Sequence, residues 1–195
     1  MKILFTLIAL LPGLSFAATI LVFGDSLSAG YGLPTGQGWV DLLRVKLATT
    51  PFKVVNASIS GETTTGGLAR IEPALTKFSP KIVILELGAN DGLRGGALDI
   101  AKNNLDAIVR ACKKHHARVL LVGMRLPPNY GLKYSDAFGK IYPELAKRHD
   151  LALVPFMLEG FAGNMEDFQS DGLHPSAKAQ GKVLSNIWKV LYPML

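Results

Sequence analysis

The stretch Thr19-Ile20-Leu21-Val22-Phe23-Gly24-Asp25-Ser26-Leu27-Ser28 decides the fold. A short apolar run that stops at a glycine reads as a strand buried on both faces, the kind found in parallel sheets. Polar Asp25 and Ser26 follow at once, and a short helix is expected to start there. Ser26 then sits near a helix N-terminus, where free backbone N–H groups favour negative charge. Taken alone, the loop has two readings. Ser and Asp are favoured N-caps on local grounds, and a serine so placed can also be a nucleophile.

Outward from this stretch the pattern repeats. Strands are expected at 19–23, 53–56, 81–87, 118–123 and 151–154, all rich in Val, Ile and Leu. Helices are expected at 39–48, 65–77, 99–115, 136–148 and 175–191. This alternation predicts an α/β protein, a flavodoxin-like three-layer α/β/α sandwich around a five-stranded parallel sheet, because right-handed crossovers put helices on both faces. Chemistry in such sheets collects at the carboxyl ends of the strands, and each expected strand here runs into a polar or glycine-bearing loop. No repeat or linker divides the chain, so 18–195 is expected to form one domain.

The first residues read Met1, Lys2, an apolar run over 3–11, a Pro12-Gly13 break and Ser15-Phe16-Ala17. Small residues after a short apolar run indicate a signal peptide over 1–17, cleaved near Ala17. The run falls short of the roughly 20 residues that span a bilayer, so a leader is expected rather than an anchor, and the mature protein is expected in the periplasm or outside the cell. Lys and Arg number 21 against 15 Asp and Glu, a net charge of +6. These charges are spread along the chain without a clustered footprint, which argues against nucleic-acid binding and leaves at most peripheral membrane contact. Cys112 is the only cysteine, so no intramolecular disulfide can form. It reads as a small apolar side chain on the helix at 99–115 rather than as a nucleophile beside His115.

The segment Asp171-Gly172-Leu173-His174-Pro175 resolves the ambiguity at Ser26. In a tight turn its carboxylate can meet one imidazole nitrogen while the other faces a hydroxyl from a neighbouring loop. Serine is a poor nucleophile until a base removes its proton. His174 can accept that proton, and Asp171 can fix the tautomer and stabilise the imidazolium. The remaining histidines, His115, His116 and His149, form no recognised metal-ligand motif with the acidic residues, and no metal is expected.

Four blocks in order now carry a resemblance: Gly24-Asp25-Ser26-Leu27, then Gly61 in Asn56-Ala57-Ser58-Ile59-Ser60-Gly61-Glu62-Thr63, then Gly88-Ala89-Asn90-Asp91, then Asp171-Gly172-Leu173-His174-Pro175. In all four the sequence resembles the SGNH or GDSL hydrolases. The likeness continues through Leu85-Glu86-Leu87, Arg125-Leu126-Pro127, Tyr130-Gly131 and Ile141-Tyr142-Pro143. Nearly the whole chain after the leader is similar to that family's bacterial periplasmic thioesterases, arylesterases and lysophospholipases. The resemblance implies a catalytic set of Ser26, Asp171 and His174. It also implies an oxyanion hole made by the backbone N–H groups of Ser26 and Gly61 and the side-chain amide of Asn90. The implied activity is hydrolysis of small-molecule acyl esters and thioesters, such as aryl esters, acyl-CoA and lysophospholipids, through an acyl-enzyme and without a cofactor.

One departure stands out: Ala89 replaces the second glycine that many relatives carry before the asparagine. Asn90 is expected to remain usable, because Ala adds one methyl group. Asp25 and Asp91 are assigned to loop hydrogen bonds. The segment Leu93, Arg94, Gly95 is expected to close over an acyl-binding groove, with Pro127 and Tyr130 in a second wall. Two rival functions remain: a carbohydrate O-acetyl esterase, which uses the same four blocks, and a non-catalytic ligand-binding module on the same sheet.

Overall fold

The computed structural model describes residues 17–195, so the leader expected over 1–17 lies outside the described residues except for Ala17. In chain order the regular elements are β1 (Ala18–Gly24), α1 (Ser26–Ala29), α2 (Trp39–Lys46), β2 (Phe52–Asn56), α3 (Thr64–Phe78), β3 (Ile82–Glu86), α4 (Ala89–Leu93), α5 (Leu98–Lys114), β4 (Arg118–Val122), α6 (Leu132–His149), β5 (Ala152–Val154) and α7 (Gln180–Leu191). The strands form one parallel sheet in the order β2-β1-β3-β4-β5. Helices α3, α5 and α6 pack together on one face, and α2 and α7 on the other. This is the expected α/β/α sandwich. The order reverses between β1 and β3, which opens a crevice beyond their carboxyl ends.

The apolar runs are explained by this layering. Ile20, Leu21, Val22 and Phe23 of β1 and Ile82, Val83, Ile84 and Leu85 of β3 are all 0% exposed, because helices cover both faces of the central strands. Alternation of apolar and polar residues would leave polar groups in the core. Each such Ile, Leu or Phe contributes about 1.5–3 kcal/mol by leaving water.

Two helix starts differ from expectation by four residues or more, and one helix was not expected. Helix α6 starts at Leu132 rather than 136, because Gly131 takes a left-handed turn (φ 81) and frees the chain to begin the helix directly after it. Helix α7 starts at Gln180 rather than 175. Pro175 is held in an antiparallel bridge with Phe168, and its carbonyl accepts from the side chains of Gln169 and Gln180. Helix α4 falls in a region read as loop; its N-cap, Gly88, has φ 113, a value that L side chains rarely adopt.

Candidate active site

The turn that carries Ser26 is built from the end of β1. A Cβ on Gly24 would lie 2.6 Å from both the Glu86 carbonyl and Glu86 Oε2, so only glycine lets the strand pass over this side chain. Asp25 caps α1 by accepting the Leu27 N–H at 3.0 Å. Ser26 is thereby the first helical residue, with its side chain open to the crevice.

The turn that begins at Asp171 meets it from the other end of the chain. Asp171 Oδ1 accepts the backbone N–H groups of Leu173 and His174 at 2.9 and 3.0 Å. Its Oδ2 lies 2.7 Å from His174 Nδ1. Burial pushes this carboxyl upward, but the two backbone donors and the imidazole outweigh it and hold the group below its ordinary value. An ionised carboxylate only accepts, so Nδ1 carries the proton and Nε2 is left as an acceptor. His174 Nε2 lies 2.8 Å from Ser26 Oγ, although the two residues are 148 positions apart in sequence.

A third side is formed by Gly61 and Asn90. Gly61 follows β2 with φ 79, and its carbonyl accepts from Arg94 Nη2 at 3.1 Å. Asn90, in α4, donates from Nδ2 to the Glu62 carbonyl at 2.9 Å and to Asp25 Oδ2 at 3.2 Å. The loops after β1, β2 and β3 are thus tied together through one amide. Asp91 in turn accepts from the Thr64 N–H at 2.9 Å and from the Thr64 hydroxyl at 2.6 Å. Asp25 and Asp91 therefore serve loop hydrogen bonds, as expected. The Ala89 departure is harmless to the turn, because the left-handed step falls on Gly88 and Ala89 is helical.

Two carboxyls lie beneath Ser26. Asp25 is 1% exposed, and burial raises its pKa from 3.8 to about 6, against the opposing pull of the Leu27 N–H, His174 and Asn90. Glu86 is fully buried, and burial together with the charge of Asp25 pushes it well above the ordinary carboxylate range. Its Oε2 accepts from Ser28 Oγ at 2.7 Å and from the Asp25 N–H at 3.3 Å.

A cavity of about 750 Å³ opens beside Ser26, His174, Gly61 and Asn90. Leu126, Phe156, Leu158, Met165 and Phe168 make much of its wall apolar. Of the expected substrate residues, Leu93 and Pro127 line it. Arg94 instead reaches the Gly61 carbonyl, and Tyr130 supports the loop from behind by donating to the Leu93 carbonyl at 3.0 Å. Gly95 (φ 66) lies off the lining. The wall from 156 to 168 was not foreseen. Its signal in the sequence is a density of large apolar residues, Phe156, Leu158, Phe161, Met165 and Phe168, without helical or strand period. Tyr31 was also missed; its ring packs 4.7 Å from the His174 imidazole, tilted by 42°. Among the described residues, no three His, Cys, Asp or Glu side chains are grouped so as to hold a metal ion.

Comparison with known proteins agrees with this geometry. The model of the GDSL-like lipase/acylhydrolase family matches residues 22–182. The chain is 47% identical over 190 residues to esterase TesA of Pseudomonas aeruginosa, covering 96% of this chain and 94% of that protein. It is 42% identical over 179 residues to thioesterase 1/protease 1/lysophospholipase L1 of Escherichia coli, covering 92% and 86% of the two. The crystal structure of TesA superposes with a TM-score of 0.88 at 48% identity, over 91% of this chain and 99% of that one. With its four sequence blocks gathered around one crevice and the family model spanning most of its length, the chain belongs to the GDSL-like lipase/acylhydrolase family.

Proposed function

We propose that Ser26 is the nucleophile of an acyl-transfer reaction, with His174 as its base and Asp171 as the group that orients and charges the base. The chain is an esterase of its family, and the observation that carries the residue assignment is the unbroken line from Ser26 Oγ through His174, at 2.8 and 2.7 Å, to Asp171. Ser26 Oγ bonds to the acyl carbon as its proton passes to His174 Nε2. The carbonyl oxygen becomes an alkoxide. Collapse breaks the bond to the alcohol or thiol, which leaves with the proton from His174, and water repeats the sequence to release the acid.

The backbone N–H groups of Ser26 and Gly61 and the amide of Asn90 are the donors for that alkoxide. In the resting site both Asn90 amide hydrogens are engaged, so the 3.2 Å bond to Asp25 is the one an oxyanion replaces. Leu93 and Pro127 are taken as acyl contacts. Arg94, Gly95 and Tyr130 act by setting the loop that carries Leu93.

The substrates are acyl esters and thioesters with an apolar acyl part, including aryl esters, acyl-CoA and lysophospholipids. Relatives named thioesterase, lysophospholipase and arylesterase support this class. The apolar wall of Leu126, Phe156, Leu158, Met165 and Phe168 supports it over an acetyl esterase of sugars, since these side chains offer a sugar's hydroxyl groups no hydrogen-bond partner. We place the protein in the periplasm or outside the cell as one domain over 18–195, after removal of the leader read near Ala17. Among the described residues no helix is long and apolar enough to cross a membrane.

A hydrolysis screen over p-nitrophenyl esters, acyl-CoAs, lysophospholipids and acetylated sugars, with Ser26→Ala as control, tests the reading. Activity on acyl esters that vanishes in Ser26→Ala is the expected result. Undiminished hydrolysis by Ser26→Ala overturns the assignment, and activity confined to acetylated sugars overturns the substrate class.

A further inference from the structure

Tyr31 has no part in the reaction as outlined above, yet it touches both ends of the catalytic arrangement. It stands between two left-handed glycines, Gly30 (φ 78) and Gly32 (φ 71). Its N–H donates to the Ser26 carbonyl at 3.2 Å, and its own carbonyl accepts from Gln169 Nε2 at 2.8 Å. Gln169 belongs to the other end: its N–H donates to the His174 carbonyl at 2.8 Å, and its carbonyl accepts the Gly172 N–H at 2.9 Å. Gly32 has to be glycine for this latch to close, because a Cβ there would collide with Gln169 Oε1. The backbone of Tyr31 is therefore pinned between the nucleophile turn and the histidine turn, with its half-exposed ring 4.7 Å from the imidazole.

We propose that Tyr31 is a positioning residue for the acyl transfer: its ring holds the His174 imidazole toward Ser26 Oγ and favours the imidazolium formed when the serine proton is taken. Asp171 restrains the imidazole through Nδ1 alone, a single bond about which the ring can still swing. An aromatic ring packed against one side limits that swing. When the imidazole becomes a cation, the aromatic ring's electron-rich face also attracts it. The charge then faces three partners: Asp171 on its own turn, Asp25 beneath, and the ring of Tyr31. Because the attraction exists only after proton transfer, it acts on the transition state and so on kcat.

Tyr31 also lines the acyl cavity, which supplies the competing account, a simple substrate wall. The two accounts separate by ester length and by kinetic parameter. The inference rests on Ser26 and His174 acting as proposed, and the test keeps the two apart. Wild type, Tyr31→Leu, Tyr31→Phe and Ser26→Ala are assayed on p-nitrophenyl acetate and p-nitrophenyl decanoate. The expected result is a fall in kcat of about 2- to 30-fold in Tyr31→Leu on both esters, the range of a cation held near an aromatic face, with KM for the acetate little moved. Tyr31→Phe, which keeps the ring, is expected to recover most of the loss.

A loss confined to the decanoate and carried by KM overturns the proposal in favour of a wall. So does a Tyr31→Phe variant as slow as Tyr31→Leu, or a Tyr31→Leu variant as fast as wild type. Should Tyr31→Leu fold poorly, Gln169→Leu frees the backbone of Tyr31 while leaving its ring, and is expected to lower kcat on both esters; an unchanged kcat there overturns the proposal as well. Full activity in Ser26→Ala sinks the nucleophile assignment itself, a failure that none of the Tyr31 results can mimic.

Discussion

Asp25 and Glu86 lie side by side in the floor beneath Ser26, with Glu86 Oε2 accepting the Asp25 backbone N–H at 3.3 Å and the charge of Asp25 adding to the burial that pushes Glu86 well above the ordinary carboxylate range. A buried pair of acids under Ser26 couples the stability of the turn to pH. Asp25 has a folded-state pKa raised from 3.8 to about 6. A raised value means that protonation favours the folded state: the contribution is complete below about pH 3.8 and is lost as pH rises through about 6. The gap corresponds to about 3 kcal/mol. Asp25→Asn removes the Asp25 titration together with the charge that helps raise Glu86, while its disturbed contact with Asn90 is an offset that does not change with pH. Urea unfolding of wild type and Asp25→Asn at pH 4 and pH 8 is expected to show the variant gaining on wild type by up to about 3 kcal/mol. A difference between the two proteins that is the same at both pH values contradicts the buried-acid account.

On the proposed mechanism Asn90 carries a double load, since the amide assigned to the oxyanion also joins Glu62 and Asp25. Asn90→Ala is expected to lower kcat by about 10²–10³-fold with little change in KM, the usual cost of losing one oxyanion donor. It is also expected to lower Tm, since two interloop bonds go with it. Steady-state kinetics and a thermal melt read the two effects separately. A melt that falls while kcat stays within a few-fold of wild type assigns Asn90 to loop structure alone.

The fold and the four sequence blocks around the crevice were readable because they leave local signals. A strand buried on both faces is apolar along most of its length, so β1, β3 and β4 announce themselves. The Asp171 and His174 pair lies within one turn, where three residues of spacing suffice to bring carboxylate to imidazole. The start of α6 was less legible, because it depends on the backbone conformation of Gly131 and not on a capping side chain at 136. Glu86 gave no sign of its burial: a single acid in Leu85-Glu86-Leu87 looks like an exposed strand end until Gly24 is seen to leave room for it. The acyl wall and Tyr31 were hidden for a related reason. Their residues come from loops whose positions are set by tertiary contacts such as the Gln169 latch, which has no periodicity to detect.

Cys112 supplies a check on the core rather than the site. It is fully buried on α5, and burial pushes its thiol from 9.0 up to about 12. Reactivity requires the thiolate and access to it, and the native protein offers neither. A disulfide reagent is expected to leave Cys112 unmodified in native protein and to label it fully once the chain is unfolded in guanidinium. Rapid labelling under native conditions contradicts the packing of α5 against the sheet.

Acyl length can be tested by filling the cavity at its most permissive point. Gly163 lines it, has no positive φ that would strain another residue, and a Cβ built there meets no other atom within 4 Å. Gly163→Phe is therefore expected to fold normally while taking up space that a long acyl chain needs. A short acyl chain occupies less of the cavity and is crowded less by the added ring. Relative to wild type, kcat/KM for p-nitrophenyl decanoate is expected to fall at least about tenfold, the scale on which one misfitting group alters discrimination in an apolar pocket, while kcat/KM for the acetate changes little. Equal losses on both esters place the effect at the reacting groups instead. No loss on the decanoate shows that the acyl chain leaves the cavity by another wall.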